Sequence, residues 1–103
     1  MNHRTLIAAS ITLLFAAGTH AQAQSASEPI RIGFITDMSG PYADTDGAGG
    51  LEAIRMAVED AGGKVLGKKI EILSADHQNK ADTAAVTARE WVDRRNLKLL
   101  IGG

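Results

Sequence analysis

At 103 residues, with eleven Lys and Arg against twelve Asp and Glu and a formal net charge of −1, the chain has the size of one small domain. Its basic residues are scattered and no aromatic series interleaves with them to stack bases, which excludes nucleic acid as a partner and leaves the mixed-sign surface of a soluble domain. The absence of cysteine excludes disulfides, thiolate nucleophiles and thiolate metal sites.

Residues 1–23 read as a secretory signal peptide. His3 and Arg4 make a short basic start, the run 6–17 (LIAASITLLFAA) is apolar and uncharged, and small residues follow. The run falls short of the roughly 20 apolar residues that span a bilayer, so a membrane anchor or a buried core helix is the weaker alternative. Two small-x-small sites compete for cleavage, Thr19-His20-Ala21 and Ala21-Gln22-Ala23; the second has alanine at both small positions and is favoured. Cleavage leaves about 80 residues, with ten basic and twelve acidic side chains. With no cysteine to carry a lipid at the cleavage point, the product is expected free of the membrane, in the periplasm of a double-membraned bacterium.

Residues 24–29 are polar and small, and read as a disordered leader. The run 30–36 (IRIGFIT) is β-branched and aromatic, and Asp37, Ser39, Gly40 and Pro41 end it; it is expected as a strand covered on both faces. In 49–61, Leu51, Ile54, Ala57, Val58 and Ala61 recur at helical spacing, and Gly62-Gly63 ends the helix. Residues 64–69 (KVLGKK) read as a turn with Gly67 at its tip, and 70–73 (IEIL) as a second strand. A second helix starts near Asn79 or Lys80, with Asn79 as its cap and Asp82 in its first turn. Its expected inner face is Ala81, Ala84, Ala85, Ala88, Trp91 and Val92; Arg94 and Arg95 suit its last turn, and Asn96 its end. Residues 97–101 (LKLLI) are the third strand, before Gly102 and Gly103.

The order β-α-β-α-β calls for a parallel sheet with helices as crossovers. Three such strands in about 80 residues leave edges unpaired and bury little surface, so residues 30–103 are expected to be part of a longer domain. A small swapped dimer and a stand-alone exported mini-protein are the alternatives.

Nucleotide-binding readings fail on detail. Gly47-Ala48-Gly49-Gly50 opens like a dinucleotide fingerprint, but Glu52 holds the third glycine position and the loop lies about ten residues beyond the strand. Residues 62–69 (GGKVLGKK) match the P-loop spacing through Lys68, but Lys69 replaces the hydroxyl residue and the segment runs from helix to strand. Catalytic and metal chemistry fare no better: His77 is the sole histidine after the signal, and reads as a solvated loop residue beside Asp76. Asp37, Asp44 and Asp46 lack the downstream Glu of a calcium loop. No cofactor, catalytic residue or metal ligand is expected.

Ligands of open α/β sheets bind outside the carboxyl ends of the strands, here 36–45 (TDMSGPYADT), 74–79 (SADHQN) and Gly102-Gly103. These loops offer amides, hydroxyls and one aromatic face, that of Tyr42. The run 36–43 (TDMSGPYA), the helix leading into Gly62-Gly63, the turn 65–68 before Ile70-Glu71-Ile72, the Asp76 loop and the closing Leu100-Ile101-Gly102 together resemble the branched-chain amino acid (Leu/Ile/Val) binding proteins of the type I periplasmic binding fold, across 30–103. The resemblance implies an α/β fold, a three-layer open parallel sheet forming the start of the N-terminal lobe of two. It implies a non-enzymatic solute-binding protein that hands a small polar ligand, such as an amino acid, amide or related organic acid, to an inner-membrane ABC permease and its ATPase subunits. It also implies ligand contacts at Ser39, Tyr42, Asp76, Gly102 and Gly103. From the residues alone, the structural reading is the favoured one for each: Tyr42 as a loop anchor, Asp76 as a bond to its own loop, and Trp91 as core. The same fold as the ligand-sensing domain of a receptor or regulator is the second functional reading.

Overall fold

The structure, a computed structural model, describes residues 28–103. The expected signal peptide, 1–23, and residues 24–27 of the expected leader lie outside them. Glu28, the next residue, accepts hydrogen bonds from Arg31 Nη1 (3.4 Å) and Asn96 Nδ2 (3.2 Å).

The elements in chain order are β1 (Ile30–Thr36), α1 (Ala43–Asp46), α2 (Ala48–Asp60), β2 (Lys64–Val65), β3 (Lys68–Asp76), α3 (Ala81–Arg94) and β4 (Leu97–Gly102). They form one open four-stranded sheet in the order β2-β3-β1-β4. Strand β1 lies between β3 and β4 and is parallel to both, with a register irregularity against β4 at Arg31/Ile32. A strand so placed has no solvated edge, and its Phe34, Ile35 and Thr36 are 3%, 4% and 0% exposed.

The sheet departs from an all-parallel one at β2, which pairs antiparallel with β3 through Lys64↔Lys69 and Val65↔Lys68. Leu66 and Gly67 form the two-residue connection, and both take positive φ, 52° and 76°. Two left-handed residues in succession match the right-handed twist of the flanking strands, so the expected turn closes as a hairpin and β3 starts early, at Lys68. The short helix α1 was also unmarked by sequence periodicity, since four residues make one turn.

Alternation along β1 sends its side chains to two helices. On one face Ile35 packs with Leu73 and Trp91, and Ala75, Ala84, Ala88 and Leu97 lie against that cluster. Trp91 can approach the sheet closely because β1 has glycine there: a Cβ on Gly33 would meet Trp91 Cε3 at 2.7 Å. On the other face Phe34 packs under α2, its ring 3.0 Å from the Cβ position of Gly50. The three layers are thus α3, sheet, and α1 with α2.

The buried stripe of α3 is narrower than its apolar spacing suggests: Val92 is 58% exposed, and Ala81 and Ala85 also face outward. In α2 only Leu51 is buried, with Ile54 and Val58 half-buried and Ala57 and Ala61 exposed. The end of α2 is a Schellman motif: Gly63 N–H donates to Val58 O (2.8 Å) and Gly62 N–H to Glu59 O (2.9 Å), both glycines at positive φ. Asn96, at φ 51°, follows α3 in the same left-handed role. Asn79 does not cap α3. It and Gln78 take φ 59° and 55° to turn the chain, and Lys80 becomes the N-cap with no side-chain bond.

Candidate ligand-binding site

The parallel strands β1, β3 and β4 deliver their carboxyl ends to one edge of the sheet, and polar side chains organise the loops there. Asp37, the first residue after β1, is 1% exposed. A buried carboxylate must be satisfied by donors, and its own loop supplies them: Gly40 N–H at 2.8 Å, Tyr42 N–H at 3.0 Å and Ser39 N–H at 3.4 Å. The loop folds so tightly round it that a Cβ on Gly40 would come within 2.6 Å of Asp37 Oδ2. This is why Ser39-Gly40-Pro41-Tyr42 follows the aspartate as a closed turn.

Asp76, the last residue of β3, ties that turn to its neighbour. Its Oδ2 accepts the Ser39 hydroxyl at 2.6 Å, and its Oδ1 accepts Met38 N–H at 3.0 Å and Gln78 N–H at 2.8 Å. The Ser39 hydroxyl first, then the Met38 and Gln78 amides, hold its carboxyl below the usual aspartate range against an opposing effect of burial. With three donors on it and that downward shift, Asp76 is ionised at neutral pH.

The end of β4 joins through backbone and one imidazole. Gly103 N–H donates to Ile35 O at 3.0 Å, and His77 Nε2 lies 2.8 Å from Gly103 O. Thr36, fully buried, donates its hydroxyl to Asp46 Oδ1 at 2.9 Å. Together these two leave no room for a side chain at Gly103, where a Cβ would meet Thr36 Oγ1 at 2.7 Å.

Of the five residues expected at the site, Ser39, Asp76 and Gly103 stand on one shelf, with Gly102 at the end of β4 beside them. Tyr42 is at the same edge with its amide on Asp37 and its side chain 57% exposed. Sequence reasoning left out Thr36, Asp37 and Asp46 as organisers. It also placed His77 in solvent, whereas both ring nitrogens are bonded and the side chain is half-buried. The one available signal was position: Thr36, Asp37 and His77 lie at or next to a strand's carboxyl end, whereas Asp46, ten residues beyond β1, had none. Among the described residues no group of three or more His, Asp or Glu is placed to hold a metal ion, and no helix is long and apolar enough to cross a membrane.

Comparison with known proteins gives this edge its context. The family model described as "Periplasmic binding protein" matches residues 29–103. Among solved structures, a periplasmic binding protein from Burkholderia mallei is 70% identical, with a TM-score of 0.73 over 74% of this chain and 20% of its own. A branched chain amino acid ABC transporter periplasmic ligand-binding protein from Burkholderia xenovorans LB400 is 44% identical, with a TM-score of 0.68 over 70% of this chain and 19% of its own. A solute binding protein of an ABC transporter from Rhodopseudomonas palustris BisB5, in complex with 3,4-dihydroxy benzoic acid, is 26% identical, with a TM-score of 0.65 over 72% and 20%. No curated protein matches the chain. The chain spans about one fifth of the length of the solved structures it matches. In fold and in sequence it belongs to the periplasmic binding protein family, whose members are extracytoplasmic solute-binding proteins and not enzymes.

Proposed function

We propose that residues 30–103 form the first part of the N-terminal lobe of a two-lobed solute-binding protein, exported by the cleaved signal 1–23 to the periplasm. There it captures a small polar ligand for an inner-membrane ABC permease and its ATPases. The observation that carries this reading is the exposed Ser39 hydroxyl. Its proton is committed to Asp76, so it is left as an acceptor at the carboxyl ends of the parallel strands.

An acceptor-rich shelf beside an aromatic ring suits a ligand that carries its own donors: an ammonium, an amide N–H or a phenolic hydroxyl. Amino acids, amides and hydroxylated aromatic acids all meet that requirement. The 44% identical transport protein supports the first class and the dihydroxybenzoate complex the last. Ser39 and Tyr42 would meet the ligand directly, Gly102 and Gly103 would begin the loop that approaches it from β4, and Asp76 would act through Ser39. Closure of a second lobe over the shelf would then be a population shift driven by ligand contact with both lobes.

The test is a thermal-shift screen of the full-length protein against L-amino acids, amides, urea-like compounds and hydroxybenzoates, followed by small-angle scattering of each hit. A true ligand at 100 times its Kd stabilises by about 2.7 kcal/mol and contracts the scattering profile. A panel in which nothing raises the melting temperature, or a hit that leaves the profile unchanged, would sink the reading.

A further inference from the structure

In the strand order β2-β3-β1-β4, β3 and β4 are separated by β1, so their carboxyl ends lie two strand spacings apart, about 9.5 Å. One side chain crosses that gap. His77 N–H donates to Thr36 O at 2.9 Å and Gly103 N–H to Ile35 O at 3.0 Å, which seats both loops against the end of β1. The imidazole then closes the ring, Nε2 to Gly103 O at 2.8 Å. Its tautomer follows from the other nitrogen: Nδ1 accepts Asn79 N–H at 2.9 Å, so the proton sits on Nε2 and is donated to Gly103.

We propose that His77 is a positioning residue, a clasp over the end of β1 that holds the Ser39–Asp76 loop pair and the loop after β4 in one geometry. For ligand capture this rests on the function proposed above, because His77 acts through Gly103 and touches no ligand itself.

The test compares His77→Gln, His77→Asn and His77→Ala in the full-length protein by amide hydrogen exchange. Glutamine reaches about as far as Nε2 and can donate to Gly103 O; asparagine reaches only as far as Nδ1. Loss of one such bond should speed exchange about fivefold in residues 99–103 of the Asn and Ala variants, with α2 unchanged and the Gln variant close to the parent. Unchanged exchange in His77→Ala, or a Gln variant as fast as Ala, would overturn the clasp. Calorimetric titration with L-leucine and with 3,4-dihydroxybenzoate follows: affinity for whichever probe binds the parent should fall in the order Gln, Asn, Ala. Equal affinity in all three would remove the link to the site. Failure of both probes on the parent would count against the ligand classes, with exchange still deciding the clasp.

Discussion

At Gly33 the indole of α3 packs directly against the backbone of β1, and Gly33→Ala tests that contact. An added methyl would stand 2.7 Å from Trp91 Cε3, 2.8 Å from Cζ3 and 3.0 Å from Leu97 Cδ1. Carbon atoms prefer about 3.5–4.0 Å, so the overlap approaches ~1 Å. Strand β1 cannot retreat, being bonded to β3 on one side and β4 on the other, and the indole must tilt off the sheet. Overpacking of this kind costs about 1–3 kcal/mol, against about 0.4–1 kcal/mol gained by stiffening the unfolded chain, for a net loss of about 1–2 kcal/mol. Urea unfolding of the full-length protein, followed by circular dichroism, should show a lower midpoint at unchanged slope. The two closest contacts are with the indole, so in a Trp91→Leu background the same substitution should cost much less, with only the Leu97 contact remaining. A loss of the same size in both backgrounds would refute the role given to the indole.

The remaining predictions concern the loops and edges. Because the folded carboxyl of Asp76 titrates below its unfolded value, its stabilising contribution is complete above the usual aspartate range and is lost as pH falls through the lowered value. Ser39→Ala removes the largest cause and should move that carboxyl up toward the ordinary value in an NMR titration; an unmoved titration would contradict the hydrogen bond. Leu66 is 93% exposed at φ 52°, so Leu66→Asn relieves a left-handed leucine without loss of packing and should stabilise by about 1 kcal/mol in thermal unfolding. Arg31 donates to Arg95 O at 3.0 Å and pairs with Glu71 and Glu28 at 3.3 and 3.4 Å. With solvent screening those ion pairs, Arg31→Ala should cost about 1 kcal/mol, most of it surviving 1 M salt because the carbonyl bond is the least screened; a loss abolished by salt would reverse that assignment.

Three of the strands and both long helices were legible in the chain because each carries a local signal. The run 30–36 is dense in β-branched residues and matches β1 end to end, and Gly62-Gly63 marks the end of α2 through the conformation that only glycine adopts freely. Strand β2 was hidden because two residues have no periodicity, and Leu66 in place of Asn removed the usual hairpin sign. The width of the buried faces was misjudged where alanine and valine fit a helical stripe but only Ala84, Ala88 and Trp91 meet the sheet.

At the candidate site, the sequence by itself determined which loops share an edge, since β-α-β order alone places 36–45, 74–79 and Gly102-Gly103 together. Its run of motifs likewise determined the family. What only the tertiary structure decided is how those loops hold one another. Ser39 and Asp76 are 37 residues apart, and His77 and Gly103 are 26 apart, so neither bond has a local signature. Hydrogen bonds form between groups that the sheet order brings within about 3 Å, and that order depends on burying β1 between β3 and β4, a property of the whole sheet and of no single segment.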